Sequence, residues 1–310
     1  MKVIITGGAG FIGGHAVRHF LEKGDDVVNV DKITYAAKDS NLDICRFEKF
    51  DICDTERLSS LIEEFGPDVF LHFAAETHVD NSIEDCRSFI HSNVTGVASV
   101  LNACRKNGVR LCHISTDEVY GPANDRPFVE TDAMNPKNPY SATKAAGDML
   151  VSAFNNTYGM EYLMVRPSNN YGPGQHREKF IPKFLECLKL GGKFPLYGDG
   201  GQEREWTYVK DTVTHIRDLI LHEKTVWNSV YNLSSGYSST NVETAKKIIG
   251  AYNQLYGKKV STEDVLQKST DRPGHDRKYW IASNKLHEIL KPSYTDFETG
   301  IRETVSEKYP

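Results

Sequence analysis

A glycine-rich segment from Thr6 to Gly13 lies between a short apolar run and a helical pattern near the start of the chain. Its glycines at 7, 10 and 13 allow a tight turn and let the backbone approach a pyrophosphate closely. The free N–H groups and the dipole at the following helix N-terminus also favour negative charge. In this strand–turn–helix context, the segment predicts a dinucleotide site. The expected contacts are Gly7, Gly10, Phe11, Ile12 and Gly13.

Short apolar runs alternate with helical patterns through the first half of the chain. Val3–Ile5 is followed by a predicted helix over 13–23, and Val27–Val30 predicts the next strand. Such alternation implies parallel βαβ units, and continuously apolar strands are typical of a sheet buried on both faces. We therefore predict an α/β fold with a Rossmann-type doubly wound parallel sheet. Further helices are predicted over 55–65, with Thr55 as the N-cap, over 93–107 and over 140–158.

The second half of the chain is less regular. Loops rich in Gly, Pro and Asn, such as 171–174 and 197–201, surround short helices. This change predicts a smaller, mostly C-terminal substrate-binding domain whose loops face the carboxyl edge of the sheet, where ligands of such folds bind. The expected boundaries are 1–170 for the Rossmann domain, with a returning segment near 205–235, and 171–310 for the second domain.

Composition and charge restrict the partners. The net charge of −5 argues against a nucleic-acid binder that uses a basic surface, but local basic pockets for phosphates stay open. No secretory signal pattern and no apolar stretch of bilayer-spanning length is found. The six cysteines form no CxxC pair and predict free thiols in a reducing compartment. We expect a cytoplasmic protein with no membrane, nucleic-acid or metal partner.

Asp31 ends the second predicted strand, at the separation typical of an acidic residue that binds the adenosine ribose. A carboxylate there repels a 2′-phosphate and favours NAD over NADP, although the neighbouring Lys32 acts against this preference. A turn or capping role is the alternative for Asp31. Asp51 and Ile52 are predicted to border the adenine, and a helix-capping role for Asp51 is equally open. Ala74 completes the predicted cofactor contacts.

Tyr140 and Lys144 are four residues apart at the start of a predicted helix and therefore share one face. Free tyrosine has a pKa near ~10 and is a poor base at neutral pH. A nearby ammonium and a positive nicotinamide ring would favour the phenolate. The pair is thus expected to remove a proton from a sugar hydroxyl. A chance pairing on an exposed helix is the alternative.

The segment from Ser115 to Gly121 follows the fifth predicted strand and carries three candidate catalytic residues. Thr116 can hydrogen-bond the reacting hydroxyl, and Asp117 and Glu118 are adjacent carboxyls. Neighbours in a strand point to opposite faces, so both carboxyls reach one substrate only if the strand has ended before them. Paired carboxyls in one cleft push their pKa values apart and provide an acid and a base. A solvated acidic turn is the alternative.

Several motifs taken together resemble the extended short-chain dehydrogenase/reductase family, specifically its nucleoside-diphosphate-glucose 4,6-dehydratases. The resemblance covers nearly the whole chain, and the adjacent Asp117 and Glu118 are its narrowest feature. Epimerases of the family lack this pair, and the related decarboxylases retain only the glutamate. The motifs are TGGAGFIG, HFAAETHVD, STDEVYG, YSATK, SNNYGP, the segment Arg204-Glu205-Trp206 and DRPGHDRKY.

The resemblance implies a mechanism. Tyr140, assisted by Thr116 and Lys144, would take the C4 hydroxyl proton while hydride leaves C4 for NAD. Glu118 would then remove the C5 proton, and Asp117 would protonate the departing C6 hydroxyl. Return of the hydride to C6 gives a 4-keto-6-deoxy sugar nucleotide, as needed for a deoxyhexose such as rhamnose.

The resemblance also implies substrate contacts and a partner. A homodimer is expected, with the helices that begin at Asn93 and Tyr140 at its interface. The stretch 36–41 is shorter than is usual in the family, so the loop on the cofactor side is expected to be trimmed. The expected substrate contacts are His78, Asp80, Asn170, Lys179, Arg204, Asn232, Arg272 and His275.

Two other readings of the sequence remain. The first is another NAD-dependent sugar-nucleotide enzyme, an epimerase or a decarboxylase, and the Asp117–Glu118 pair counts against it. The second is a catalytically silent dinucleotide sensor, and the intact Thr116, Tyr140 and Lys144 count against it. The sequence does not distinguish uridine from deoxythymidine in the substrate.

Overall fold

The computed structural model describes residues 1–270 and 276–306. Its main layer is a seven-stranded, all-parallel sheet with strand order β10-β6-β5-β4-β1-β2-β3. The doubly wound α/β prediction is confirmed. The strands of the whole molecule are β1 Lys2–Thr6, β2 Asp26–Asp31, β3 Arg46–Lys49, β4 Val69–His72, β5 Leu111–Ile114, β6 Tyr162–Pro167, β7 Asn169–Tyr171, β8 Phe194–Tyr197, β9 Glu203–Tyr208, β10 Ser229–Leu233, β11 Ser238–Thr240 and β12 Leu266–Ser269.

Helices cover both faces of this sheet and bury its apolar side chains in two separate clusters. One face packs on α2, α5 and α6, and the other on α1, α8 and α11. The helices are α1 Phe11–Glu22, α2 Thr55–Phe65, α3 Val79–Glu84, α4 Arg87–Ile90, α5 Gly96–Asn107, α6 Pro139–Tyr158, α7 Phe180–Leu190, α8 Val209–Leu221, α9 Asn241–Tyr256, α10 Thr262–Val265, α11 Asn284–Leu290 and α12 Phe297–Ser306.

One predicted helix cap and one predicted helix start are wrong. Asp54, not Thr55, caps α2, because its carboxylate accepts a hydrogen bond from the backbone N–H of Arg57 at 3.0 Å. The helix predicted from Asn93 begins earlier: α4 continues through a π turn over His91–Thr95 into α5. This turn places the Asn93 side chain inward, where its amide donates to the Thr143 hydroxyl on α6 at 3.0 Å.

The remaining strands form smaller sheets at the carboxyl edge of the main one. β7, β9 and β11 make a three-stranded sheet, and β8 pairs with β12. A third cluster of buried side chains, rich in aromatics such as Trp206 and Phe297, joins these strands to α7, α9 and α12. Because β10 lies next to β6 in the main sheet, the chain crosses from this outer layer back into the main sheet. Among the described residues, no helix combines the length and apolar character that crossing a bilayer needs.

Candidate active site

One long cleft runs along the carboxyl edge of the main sheet, between that sheet and the outer layer. Its walls come from the loops after β1, β2, β4, β5 and β6, and from the start of α6. The predicted cofactor and catalytic residues meet here, with Asp51 the single exception. Those that line the cleft are Gly7, Gly10, Phe11, Ile12, Gly13, Asp31, Ile52, Ala74, Thr116, Asp117, Glu118, Tyr140 and Lys144.

The glycine loop closes one end of the cleft. Gly7 has a φ of +74°, and a Cβ there would stand 2.6 Å from the backbone N of Ala74. A Cβ at Gly13 would stand 2.2 Å from the carbonyl oxygen of Gly7, so helix and loop touch backbone to backbone. Helix α1 begins at Phe11, and no side chain caps it. Its first N–H groups are therefore open to a ligand in the cleft. This end fits a pyrophosphate.

Asn41 supports the glycine loop from behind, a role that the sequence did not reveal. Its buried amide donates to the carbonyl oxygens of Ala9 and Gly10 at 3.2 and 3.1 Å. The backbone N–H of Lys38 also donates to the Ala9 carbonyl at 2.8 Å. The short 36–41 stretch therefore packs directly under the loop. Asparagine in a loop is too common for its sequence position to have signalled this contact.

Asp31 faces the cleft and also ties the loop to β2. Its carboxylate accepts hydrogen bonds from the backbone N–H groups of Ala9 at 3.1 Å and Ile33 at 2.8 Å. Burial raises the pKa of Asp31. Ile52 lines the same region, whereas Asp51 turns away and contacts His91 at 3.1 Å and Lys32 at 3.4 Å. The alternative role of Asp51 as a helix cap is also wrong, because Asp54 fills it.

The catalytic segment leaves β5 before its acidic pair. β5 ends at Ile114, and Asp117–Tyr120 forms one 3₁₀ turn that Thr116 caps by accepting from the Glu118 N–H at 3.3 Å. The tight turn replaces strand alternation, so Asp117 and Glu118 both line the cleft. Both carboxyls could reach one substrate only if β5 ended before Asp117, and it ends at Ile114.

The two carboxyls differ in burial. Asp117 is 3% exposed, and burial together with the charges of Glu118 and Glu205 raises its pKa well above its usual range. Its Oδ2 has no hydrogen-bond partner among the described residues. Glu118 is only half-buried, and Asn138 donates to its Oε2 at 3.4 Å. Asp117 is therefore suited to be the proton donor and Glu118 the base.

Tyr140 and Lys144 lie in the first turns of α6, which Asn138 caps through its side-chain oxygen at 2.9 Å from the Ser141 N–H. The Tyr140 hydroxyl is hydrogen-bonded to Thr116, and the Lys144 ammonium donates to the Ile114 carbonyl at 2.8 Å. Burial lowers the pKa of Lys144 to about 8. The pair shares one buried face of the helix.

The protein's own residues do not favour the phenolate, contrary to the expectation from the Tyr140–Lys144 spacing. Burial and the charge of Glu118 raise the pKa of Tyr140, and the hydrogen bond with Thr116 only opposes this in part. Burial is the larger cause, and the turn that brings Glu118 to the cleft adds its negative charge close to the phenol. A net preference for the phenolate therefore requires bound positive charge in addition.

The predicted substrate contacts lie in different places. Asn170 and Lys179 line the cleft, and Lys179 donates to the Thr77 carbonyl at 2.7 Å. His78 and Asp80 belong to the start of α3, next to this wall but not on it. Arg204 lies behind the catalytic turn, where its charge lowers the pKa of Asp117 against the larger effect of burial. Arg272 and His275 lie outside the described residues.

Asn232 is the substrate contact that the structure contradicts. Its side chain is fully buried in β10, and it accepts from the Tyr120 hydroxyl at 2.9 Å. Its amide nitrogen donates to the carbonyl oxygens of Phe128 and Ala282, both at 3.2 Å. With these contacts made inside the fold, Asn232 holds segments together and does not reach the cleft.

Sequence reasoning predicted Asn170 but missed two polar neighbours on the cleft wall that follows β6, Asn169 and Gln175. Side-chain oxygens of all three are buried and have no partner among the described residues. Buried polar groups normally have partners, so these oxygens are suited to a polar ligand. Asn169 lies beside Asn170 in the SNNYGP motif, which could have signalled it. Gln175 carried no such signal.

The sequence profile of the GDP-mannose 4,6-dehydratase family matches residues 4–304 of the chain. A low-salt glycan biosynthesis protein, Agl12 of Haloferax volcanii, is 41% identical over 98% of this chain and 97% of its own length. The dTDP-glucose 4,6-dehydratase of Haemophilus influenzae is 38% identical, again over 98% of this chain and 97% of its own.

Solved structures agree in fold over the same extent. The dTDP-glucose 4,6-dehydratase DesIV of Streptomyces venezuelae, solved with NAD and TYD bound, has a TM-score of 0.91 and 36% identity over 98% of this chain and 96% of its own. A UDP-glucose 4-epimerase of Thermotoga maritima reaches 0.89 at 28% identity, over 98% and 97% of the two chains. Backbone similarity alone therefore does not separate dehydratases from epimerases.

Proposed function

The chain belongs to the nucleoside-diphosphate-sugar 4,6-dehydratases of the extended short-chain dehydrogenase/reductase family, and from this we propose that it dehydrates a nucleoside-diphosphate-glucose. The product is the 4-keto-6-deoxyglucose nucleotide. The enzyme is a hydro-lyase that uses NAD. The observation that carries the proposal is the placement of Asp117 and Glu118 on one 3₁₀ turn beside Tyr140, with Asp117 buried and Glu118 more open.

Each catalytic residue has one task in the proposed reaction. Tyr140, hydrogen-bonded to Thr116, takes the proton of the C4 hydroxyl. The Lys144 ammonium, fixed on the Ile114 carbonyl, adds to the positive charge that favours the phenolate before it accepts this proton. Bound NAD supplies the hydride acceptor and, with its positive ring, offsets the raised pKa of the phenol.

The acidic pair performs the elimination. Glu118 removes the C5 proton, which the neighbouring 4-ketone has acidified. Burial and the charges of Glu118 and Glu205 raise the pKa of Asp117, which favours its protonated form, and Asp117 donates that proton to the departing C6 hydroxyl. One acid and one base on adjacent residues thus act on neighbouring carbons of the sugar.

The far end of the cleft is proposed to hold the nucleotide. The unpartnered oxygens of Asn169, Asn170 and Gln175 are acceptors for base or ribose donors, and Lys179 supplies positive charge near the same wall. Arg272 and His275 remain proposed contacts from the family resemblance. The pyrimidine is uracil or thymine.

The test is to incubate the purified protein and NAD with UDP-glucose and dTDP-glucose in separate reactions. We expect the 4-keto product from at least one of them, with solvent deuterium at C5 and the original C4 hydrogen at C6. A C4 epimer formed without loss of water would instead identify an epimerase. No product from either nucleotide would contradict the proposal.

Replacement of Glu118 examines the elimination separately. Glu118→Gln should slow C5 exchange and water loss by about 10²–10⁴-fold, the usual contribution of a general base, while C4 oxidation persists. Glu161→Gln, at an exposed carboxyl outside the cleft, is the matched control. If both variants lost water at the native rate, Glu118 would not be the base.

We also propose a homodimer through α5 and α6. Ile90, just before α5, is 46% exposed, and Met149 on α6 is 59% exposed. Large exposed apolar side chains on adjacent helices are typical of an interface. Light scattering after size exclusion should give twice the chain mass for the native protein, and Met149→Lys should shift it toward the monomer.

A further inference from the structure

The proposed base, Glu118, is contacted from the outer layer of the molecule by a tyrosine. The Tyr279 hydroxyl lies 3.3 Å from Oε2 of Glu118 and 2.5 Å from Oδ2 of Asp276. Tyr279 is 4% exposed and Asp276 is 8% exposed. One phenol therefore lies between two carboxyls. One belongs to the catalytic turn, and the other belongs to the segment that begins at residue 276.

A phenol has a single proton to donate, so it cannot serve both carboxyls fully. Hydrogen bonds from a hydroxyl to a carboxylate are typically about 2.5–2.7 Å long, and interactions beyond about 3.0 Å are weak. The distances therefore assign the proton to Asp276. Burial and the charge of Glu118 raise the pKa of Tyr279, so the phenol keeps this proton at neutral pH.

Arg204 fixes this arrangement. Its guanidinium stacks over the Tyr279 ring, 4.4 Å from the ring centre, and donates to the backbone carbonyl of Asp276 at 3.0 Å. The backbone N–H of Tyr279 also donates to the Glu203 carbonyl at 3.4 Å. The Tyr279 ring and the Asp276 backbone are thus both attached to the β9 segment.

We propose that Asp276 is a positioning residue for Glu118: it takes the Tyr279 proton, which leaves Oε2 of Glu118 without a strong donor and open to the C5 hydrogen. A hydrogen bond to a carboxylate lowers its pKa and weakens it as a base. Since Asn138 offers only a long contact at 3.4 Å, Glu118 stays ready to accept the C5 proton. This inference rests on the proposed role of Glu118.

The ionisable groups around Glu118 and its neighbour on the catalytic turn come from four segments. A test must therefore compare variants that change only the Asp276–Tyr279 pair and leave the other groups in place. They are Asp117 on the same turn, Tyr140 on α6, Arg204 and Glu205 on β9, and Asp276 and Tyr279 in the segment that begins at residue 276.

The test is a set of three variants: Asp276→Asn, Tyr279→Phe and the double variant. In Asp276→Asn the neutral amide is a weaker acceptor, and the Tyr279 proton turns to Glu118. C5 exchange should then slow roughly tenfold, because a hydrogen bond to the carboxylate weakens it as a base. In Tyr279→Phe and in the double variant no such donor exists, so the exchange rate should stay within about threefold of native.

Two measurements keep the outcomes separate. The carbon-13 chemical shift of the Glu118 carboxyl, assigned by its absence in Glu118→Gln, reports the hydrogen bond that this carboxyl accepts, without any turnover. Deuterium uptake at C5 of the 4-keto product reports the base in action. Asp199→Asn, at an exposed carboxyl that faces Arg277 at 3.4 Å, is the matched control and should change neither.

The rescue distinguishes positioning from a structural role. If Asp276 only stabilised the fold, the double variant would be at least as impaired as Asp276→Asn, and the proposal would be wrong. If Tyr279 were a needed donor to Glu118, Tyr279→Phe alone would slow exchange most, which also overturns it. A native protein without dehydratase activity would refute the proposed function, while the NMR measurement would still decide the Asp276–Tyr279 contact.

Discussion

The two ends of the cleft differ in how their polar groups are satisfied. At the cofactor end, Asp31 accepts two backbone N–H groups and Lys144 donates to a backbone carbonyl. At the substrate end, Asn170 and Gln175 keep buried oxygens that have no partner among the described residues. The first end is organised by the protein itself, whereas the second is suited to be completed by a ligand. Substitutions at the two ends should therefore affect different quantities.

The largest effect is expected for Tyr140→Phe, where the two ends meet. Turnover should fall by about 10²–10⁴-fold, since the hydroxyl is the proposed base for the C4 proton. Substrate affinity should stay close to native, because the ring still packs edge-to-face against Phe89. Steady-state rates together with calorimetric titration of substrate measure both. Tyr158→Phe, at the exposed end of the same helix, is the control. Near-native turnover of Tyr140→Phe would show that another group removes the C4 hydroxyl proton.

A backbone change at the cofactor end should come next. Gly7→Ala places a Cβ 2.6 Å from the Ala74 backbone at a φ of +74°, so NAD affinity should fall by at least roughly tenfold. Gly24→Ala is the matched control, because its φ is +78° but a Cβ there has open space. It should lower only the free energy of unfolding, by about 1–2 kcal/mol. Equal NAD affinities in the two variants would mean that the close contact at Gly7 does not shape the site.

Two asparagines should separate ligand binding from folding. Asn170→Ala should raise the KM for the sugar nucleotide by roughly 5–100-fold, because it removes an acceptor that faces the cleft, with little effect on unfolding. Asn232→Ala should lower the free energy of unfolding by about 1–3 kcal/mol and leave KM unchanged, because its contacts are internal. Denaturant titration and initial rates measure the two quantities. If instead Asn232→Ala raised KM and Asn170→Ala lowered the free energy of unfolding, Asn232 would be a substrate contact.

The smallest effect is expected for Asp31→Asn. The amide keeps the shape of the side chain and can still accept from a backbone N–H, but it removes the charge that repels a 2′-phosphate. The preference for NAD over NADP should fall by roughly tenfold or less, since the neighbouring Lys32 already offsets part of that charge. Fluorescence titrations with both cofactors measure the ratio. An unchanged preference would show that other groups choose the cofactor.

Much of the cofactor end could be predicted because backbone requirements leave a sequence signature. A turn that touches a neighbouring strand needs glycine, as at Gly7, and a buried parallel strand needs consecutive apolar residues, as in β1 and β4. The same local logic required the strand to end before Asp117, and the 3₁₀ turn provides this. These requirements concern residues that are close together in the chain, so the amino-acid sequence alone is enough to predict them.

The tertiary structure decided which polar residues face the cleft and which face each other. Asn170 and Asn232 look alike in the sequence, but only the packing of β10 against β6 buries Asn232 among internal carbonyls. The contact between Glu118 and Tyr279 joins residues 161 positions apart and has no local pattern. The sequence by itself determined the sheet, the glycine loop and the identity of the acidic pair. Hydrogen-bond partners and pKa directions depended on distances across the fold, because charge and burial act through space and not along the chain.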